Sequence, residues 1–356
     1  MIRKYYTGSL LFTAICLALG AWLGWTLTGN LIGTLGIVWI VLVLGVLEVS
    51  LSFDNAVVNA TVLRDMTPVW RQRFLTWGIA IAVFGMRIIF PLAIVAIAAR
   101  LGPIDALVLA ATEPAEYQHI IEGAHVGIAG FGGAFLAMVG LKFFFDADKD
   151  LHWIEVFERH LTKLSSVPAI EIGTVLLVIW GISTQLEAAD AMTFLVSGIF
   201  GILTYIAVDA IGALLEAPES STDTVARAGL ASFLYLEVLD ASFSFDGVIG
   251  AFALSNNLFI IALGLGIGAM FVRSMTVMLV DKGTLAQYRY LEHGAFWAIL
   301  ALAGIMLVSS RYAIPETITG LIGAVLIGAS LWWSIRHNRL HPEDREDINL
   351  NEGEAD

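Results

Sequence analysis

The sequence predicts an all-α polytopic membrane protein of about ten transmembrane helices with inverted three-helix repeats. Three observations predict it. Of the 356 residues, 58% are hydrophobic and only 14% charged, and the mean hydropathy is +0.81. No soluble domain keeps that balance in water. Apolar stretches of roughly 20 residues, the length that crosses a bilayer as a helix, recur along the chain. Finally, EVSLSFDNAVVNA, starting at Glu48, returns far downstream as LDASFSFDGVIGA, with Asp240 in the place of Glu48 and Asp246 in that of Asp54.

Residues 1–30 hold the first transmembrane helix. Its apolar run is too long for a signal peptide, and no small-x-small cleavage site follows it, so it is expected to be retained. A first membrane repeat, 33–145, contains spans near 33–63, 73–100 and 124–145, with an acidic loop at 101–122. Residues 146–227 begin with a loop, 146–166, and continue through linking spans near 168–187 and 190–216. Ile154, Phe157, Leu161 and Leu164 recur in that loop at helical spacing, which predicts an amphipathic helix on the protein or the membrane. The second, inverted repeat occupies 228–309, with spans near 228–255, 257–280 and 291–309. The last transmembrane helix lies in 310–336. The tail, 337–356, is acidic and too poor in apolar residues to fold, so disorder is expected there.

Lysine and arginine orient this map. With a cytoplasmic N-terminus and ten alternating helices, Arg100 and Arg311 fall outside and Arg87 and Arg273 fall within spans. Every other Lys and Arg falls inside. The positive-inside rule predicts such one-sidedness, with both termini cytoplasmic. The second set of three helices starts an odd number of helices after the first, so the two sets face opposite ways.

Several function classes drop out. The sequence pI of about 4.9 and the lack of a basic run give no purchase for nucleic acid. A single cysteine, Cys16, permits no intrachain disulfide. No HExxH, GxSxG or other nucleophile–base pair points to an enzyme. DADKDLHWIEVF starts like a calcium loop but has Leu151 and Phe157 where that loop needs Gly and Glu.

The buried charges carry the chemistry. Each acid or arginine at the bilayer centre costs about 2.5–3.5 kcal/mol. Glu48, Asp54, Arg87, Asp240, Asp246 and Arg273 must therefore face one another or a wet cavity. On an ideal helix Glu48, Ser52, Asn55 and Asn59 share a stripe, as do Asp240, Ser244 and Gly247. Asp54 and Asp246 lie about 100° away. Local opening of the helix in SLSFDN and in SFSFDG would bring each pair of acids together, because Ser, Asn and Gly loosen backbone hydrogen bonds. A cage of carboxylates, an amide oxygen and carbonyls suits a hard divalent cation. The plainer reading is an ion-pair lattice with Arg87 and Arg273. Four acids exceed two arginines, which leaves negative charge for a cation.

The paired FDN and FDG motifs, an arginine in each following span, and YLEHGAFWAI from Tyr290 resemble the TerC family of integral membrane proteins. Within it the chain is similar to the longer bacterial TerC-like subgroup. TerC proteins belong to the LysE superfamily, which has inverted three-helix repeats. The resemblance implies a divalent metal cation exporter in the bacterial cytoplasmic (inner) membrane, working by alternating access. Manganese is the first expected cargo, and calcium or another hard divalent cation the next. It carries the metal ligands over to Glu48, Asp54, Asp240 and Asp246, with Asn55 beside them. Gly247 stands where the first motif has Asn55, so Glu237, one turn earlier, is expected to supply the missing ligand. Arg87 and Arg273 are expected to balance charge. No cofactor is implied beyond the transported metal. The expected partners are that ion and the lipid bilayer, and a homo-oligomer or secretion machinery stays open. The alternative is a factor supporting membrane-protein assembly or secretion, in which the buried acids and arginines are structural.

Overall fold

A computed structural model describes residues 2–146, 151–164, 166–216, 222–312 and 314–341. Among the described residues every regular element is a helix. Among the described residues, eight helices are long and apolar enough to cross a membrane: Thr7–Thr28, Leu31–Leu51, Pro68–Ala98, His125–Phe144, Ala188–Ile211, Leu258–Asp281, Leu291–Ser309 and Ile318–Leu340. Large apolar side chains such as Trp22, Trp39, Trp77, Ile97 and Leu321 stand exposed on them. A soluble protein would bury such residues, whereas lipid accepts them. The chain is a multi-pass membrane protein.

Two expected spans differ from that set. Ile170–Ser183 has 14 residues, about 21 Å of helix at 1.5 Å per residue. That is short of the roughly 30 Å hydrocarbon core. Thr222–Ala251 has 30 residues, ample length, but it carries Glu237, Asp240 and Asp246 and is no plain apolar span. The tail beyond 341 lies outside the described residues, as do 147–150 of the loop.

The expected span 33–63 is two helices. Gly29, at φ 64, closes the Thr7–Thr28 helix in the left-handed conformation that glycine tolerates. Asn30 then caps Leu31–Leu51 by accepting from Gly33 N at 2.8 Å. At Ser52 the backbone turns (φ −102, ψ 23), and a new helix, Phe53–Asp65, begins. The opening expected in SLSFDN is present. Its counterpart in SFSFDG is not, because Thr222–Ala251 runs through Ser242, Ser244 and Gly247 without a break. Ser242 returns its hydroxyl to Val238 O at 3.0 Å and so stays within the helix.

The Pro68–Ala98 span is helical throughout but changes type. Wide π-helical turns at Phe74–Gly78 and Ile81–Ile89 interrupt it. Pro91 offers no N–H to the carbonyl of Arg87, and Phe90 N bonds Gly85 O, one residue further back than in an α-helix. The acidic stretch 101–122 folds as two short helices, Pro103–Thr112 and Pro114–Gly123. Tyr117 there is fully buried against Phe252.

One end of the bundle gathers the segments that the charge map puts on one side. Lys4 pairs with Asp281 at 3.1 Å and Arg64 with Glu292 at 3.8 Å. The Glu155–Leu164 helix docks on this end through a buried acid. Glu158 accepts from Trp297 Nε1 at 2.9 Å and from the backbone N–H groups of Trp153 and Ile154, and lies 3.5 Å from His293. Its apolar stripe is split: Ile154 and Leu161 are half-buried, while Phe157 and Leu164 are exposed.

Candidate functional site

Glu48 sits in the last turn of Leu31–Leu51, just before the Ser52 break, and forms an ion pair with Arg87 from the π-helical span. Both side chains are only 4% exposed. Arg87 also donates from Nη1 to Ala82 O at 3.2 Å. Two glycines of the second repeat make room for the acid. A Cβ on Gly268 would lie 2.3 Å from Glu48 Cβ, and one on Gly247 would lie 2.9 Å from Glu48 Oε2. A side chain at 247 would therefore press on the end of the Glu48 carboxylate and require it to shift.

Asp54 opens the helix that follows the break, where backbone N–H groups and the helix dipole favour a carboxylate. Its Oδ1 accepts from Asn55 N at 2.9 Å. Its Oδ2 faces Gly323 of the last span, where a Cβ would lie 3.1 Å away. Asp240 comes from the continuous second motif and accepts from Asn59 Nδ2 at 3.4 Å, a direct tie between the two repeats. Arg273 stacks on the Phe74 ring, 3.6 Å from its centroid.

Two adjoining cavities gather these groups. The larger, about 40 Å³, is lined by Glu48, Ser52, Asp54, Asn55 and Thr319, among others. The smaller, about 10 Å³, is lined by Glu48, Asn55, Asn59, Arg87, Asp240 and Arg273, with Ser52 also on its wall. Glu48, Ser52 and Asn55 face both. Space of this size holds one to a few water-sized particles.

Of the expected ligands, Glu48, Asp54, Asn55 and Asp240 are brought together along these cavities. Glu237 lies outside both walls, and Asp246 lies in the same helix with its side chain outside the described set. Among the described residues no three Asp, Glu, His or Cys side chains converge on one point. Among the described side chains, Asp240, Glu48 and Asp54 follow one another along the two cavities. Thr319 and Gly323 were not anticipated. The small residues in TITGLIGAV were the available signal that this helix packs closely on something.

The site is short of hydrogen bonds. Asn55 Oδ1, Asn59 Oδ1, Arg87 Nε, Ser244 Oγ, both Glu237 carboxylate oxygens and both terminal nitrogens of Arg273 are buried with no partner. Each such atom costs about 1–3 kcal/mol, and four of these residues, Asn55, Asn59, Arg87 and Arg273, line the cavities, an arrangement that suits water or an ion. The oxygen donors, with no Cys or His among the described residues of either wall, suit a hard cation.

A family model described as a protein of unknown function (DUF475) matches residues 53–341, from the first aspartate motif to the end of the last helix. No curated protein and no solved structure matches the chain.

Proposed function

The chain belongs to the DUF475 family, and we propose that it exports divalent metal cations, manganese first among them, across the cytoplasmic membrane. The observation that carries this reading is the pair of adjoining cavities that share the oxygen-bearing side chains of Glu48, Ser52 and Asn55. Asp240 stands on one side of that shared wall and Asp54 on the other. A cation passing between them meets Asp240, Glu48 and Asp54 in turn, with Leu51, Phe243 and Leu302 on the larger wall and the guanidinium groups of Arg87 and Arg273 on the smaller. Hard cations need such carboxylates, since their hydration shell must be replaced oxygen by oxygen.

Charge balance gives the cycle its logic. Glu48 is neutralised by Arg87, and a divalent cation arriving beside Asp240 competes for that carboxylate. Arginine keeps its proton, so it must yield position rather than charge. The end that carries Lys4, Arg64, Arg71 and Arg73 is the cytoplasmic one by the positive-inside rule. The resemblance to the TerC family points the same way, toward alternating access of two repeats.

The test is manganese flux in proteoliposomes. Wild type should carry Mn²⁺, and Asp54→Asn should fall to the protein-free background while reaching the membrane normally. Flux in Asp54→Asn equal to wild type, or no flux in wild type, sinks the reading. The second reading, an assembly factor with structural acids, is favoured by one observation, the buried Glu48–Arg87 ion pair. It would then take the first place.

A further inference from the structure

Among the described residues, Glu237 and Arg273 leave the most hydrogen-bonding capacity unused inside the bundle. Both carboxylate oxygens of the one and both terminal nitrogens of the other have no partner. They face each other at Gly78. A Cβ there would lie 2.9 Å from Arg273 Nη2 and 2.9 Å from Glu237 Oε1. Glycine is what leaves the two free to meet. Arg273 instead lies on the Phe74 ring, in the wall of the smaller cavity that also holds Asp240. Phe74 and Gly78 bound the first π-helical turn, a wide turn of the kind that recurs at functional sites.

The repeat supplies an internal control. The offset that aligns Arg87 with Arg273 aligns Gly78 with Gly264, and the offset that aligns Glu48 with Asp240 aligns Gly45 with Glu237. At the related place there is no charge. A Cβ on Gly45 would lie 3.3 Å from Gly264 O, and one on Gly264 would lie 2.5 Å from Leu44 Cβ. Helix packs on helix there, and opening it means parting two helices. Where Glu237 and Arg273 face each other, a side chain can move by its own torsions.

We propose that Arg273 is a movable gate to the smaller cavity from the end that carries Arg71 and Arg73, an inference that rests on the transporter reading. Over Phe74 the guanidinium is held by cation–π attraction and closes the way to Asp240. Turned through the Gly78 notch, it pairs with Glu237 and the way is open, held by a charge-assisted hydrogen bond. A cation beside Asp240 repels the guanidinium and favours the Glu237 position. Glu237 is then a positioning residue for the gate and no ligand of the ion.

Thiol accessibility tests this without any metal. Ala82 is buried in the wall of the smaller cavity. Ala82→Cys in a Cys16→Ala background is exposed to a small methanethiosulfonate reagent in inside-out membrane vesicles. Phe74→Ala should speed its modification about tenfold, and Glu237→Gln should slow it about tenfold, opposite shifts of one equilibrium. Gly78→Ala should follow Glu237→Gln. Rates within about twofold of the parent in all three variants, or all three moving in one direction, overturn the gate. If Phe74→Ala lowers membrane abundance, Phe74→Leu replaces it, and the same sign is required. Opposite shifts in a protein that carries no manganese would keep the gate and discard the cargo, so the two failures are distinguishable.

Discussion

The two acidic motifs share Ser-Phe-Asp at matching positions, at Ser52–Asp54 and at Ser244–Asp246, yet one lies across a helix break and the other inside a continuous helix. The arginines differ in the same sense. Arg87 is paired with Glu48, whereas Arg273 rests on an aromatic ring with its terminal nitrogens unmatched. One half of the site is thus electrostatically closed and the other half is not. Near-identical sequence in two halves does not dictate identical local structure, because the neighbours of each half differ. The first motif packs on the last helix at Gly320 and Gly323 and on the second repeat at Gly247 and Gly268.

The largest effect should come from breaking the closed half. Glu48→Gln strands the buried Arg87 guanidinium and should cost about 3–5 kcal/mol. Combining it with Arg87→Gln should restore most of that loss. Thermal unfolding in detergent checks both. A single variant as stable as wild type would mean that the pair is solvated, and the contrast between the halves would vanish.

The open half should respond in function and hardly in stability. Asp240→Asn keeps an acceptor for Asn59 and should cost less than about 1 kcal/mol. It should still remove manganese flux as fully as Asp54→Asn, because a hard site loses a charge. Destabilisation as large as that of Glu48→Gln would show that Asp240 is held like Glu48 after all.

The smallest effect sets two equivalent serines against each other. Ser244 Oγ is buried without a partner, so Ser244→Ala should stabilise the protein by up to about 1 kcal/mol. Ser52 lines both cavities. Ser52→Ala should leave stability within about 0.5 kcal/mol of wild type and weaken Mn²⁺ binding measured by titration. Equal responses of the two serines would mean that the break at Ser52 has no bearing on the site.

The charged residues that gather at the two cavities were legible for one physical reason. An ionisable side chain inside an apolar span is so costly that it must serve something, and Glu48, Arg87, Asp240 and Arg273 stand out on that ground alone. How they divide was not legible. Ser52 and Ser244 sit in near-identical text, and only packing decides which of them ends a helix. Thr319 and Gly323 carry no charge and so no such signal, although they wall Asp54. Glu158 was passed over for a related reason. It stands among other acids in a hydrophilic stretch, and nothing local says that Trp297 and two backbone N–H groups will bury it.

By itself the sequence determined a helical membrane protein with most of its apolar spans, since bilayer thickness acts on each segment separately. Tertiary structure alone decided that Glu48, Asp54 and Asp240 line two adjoining cavities, that Arg87 meets a carboxylate while Arg273 meets an aromatic ring, and that the last helix completes the wall. Those outcomes depend on contacts between helices far apart in the chain. A glycine at 78, 247 or 268 has no meaning until the side chain that fills its notch is known.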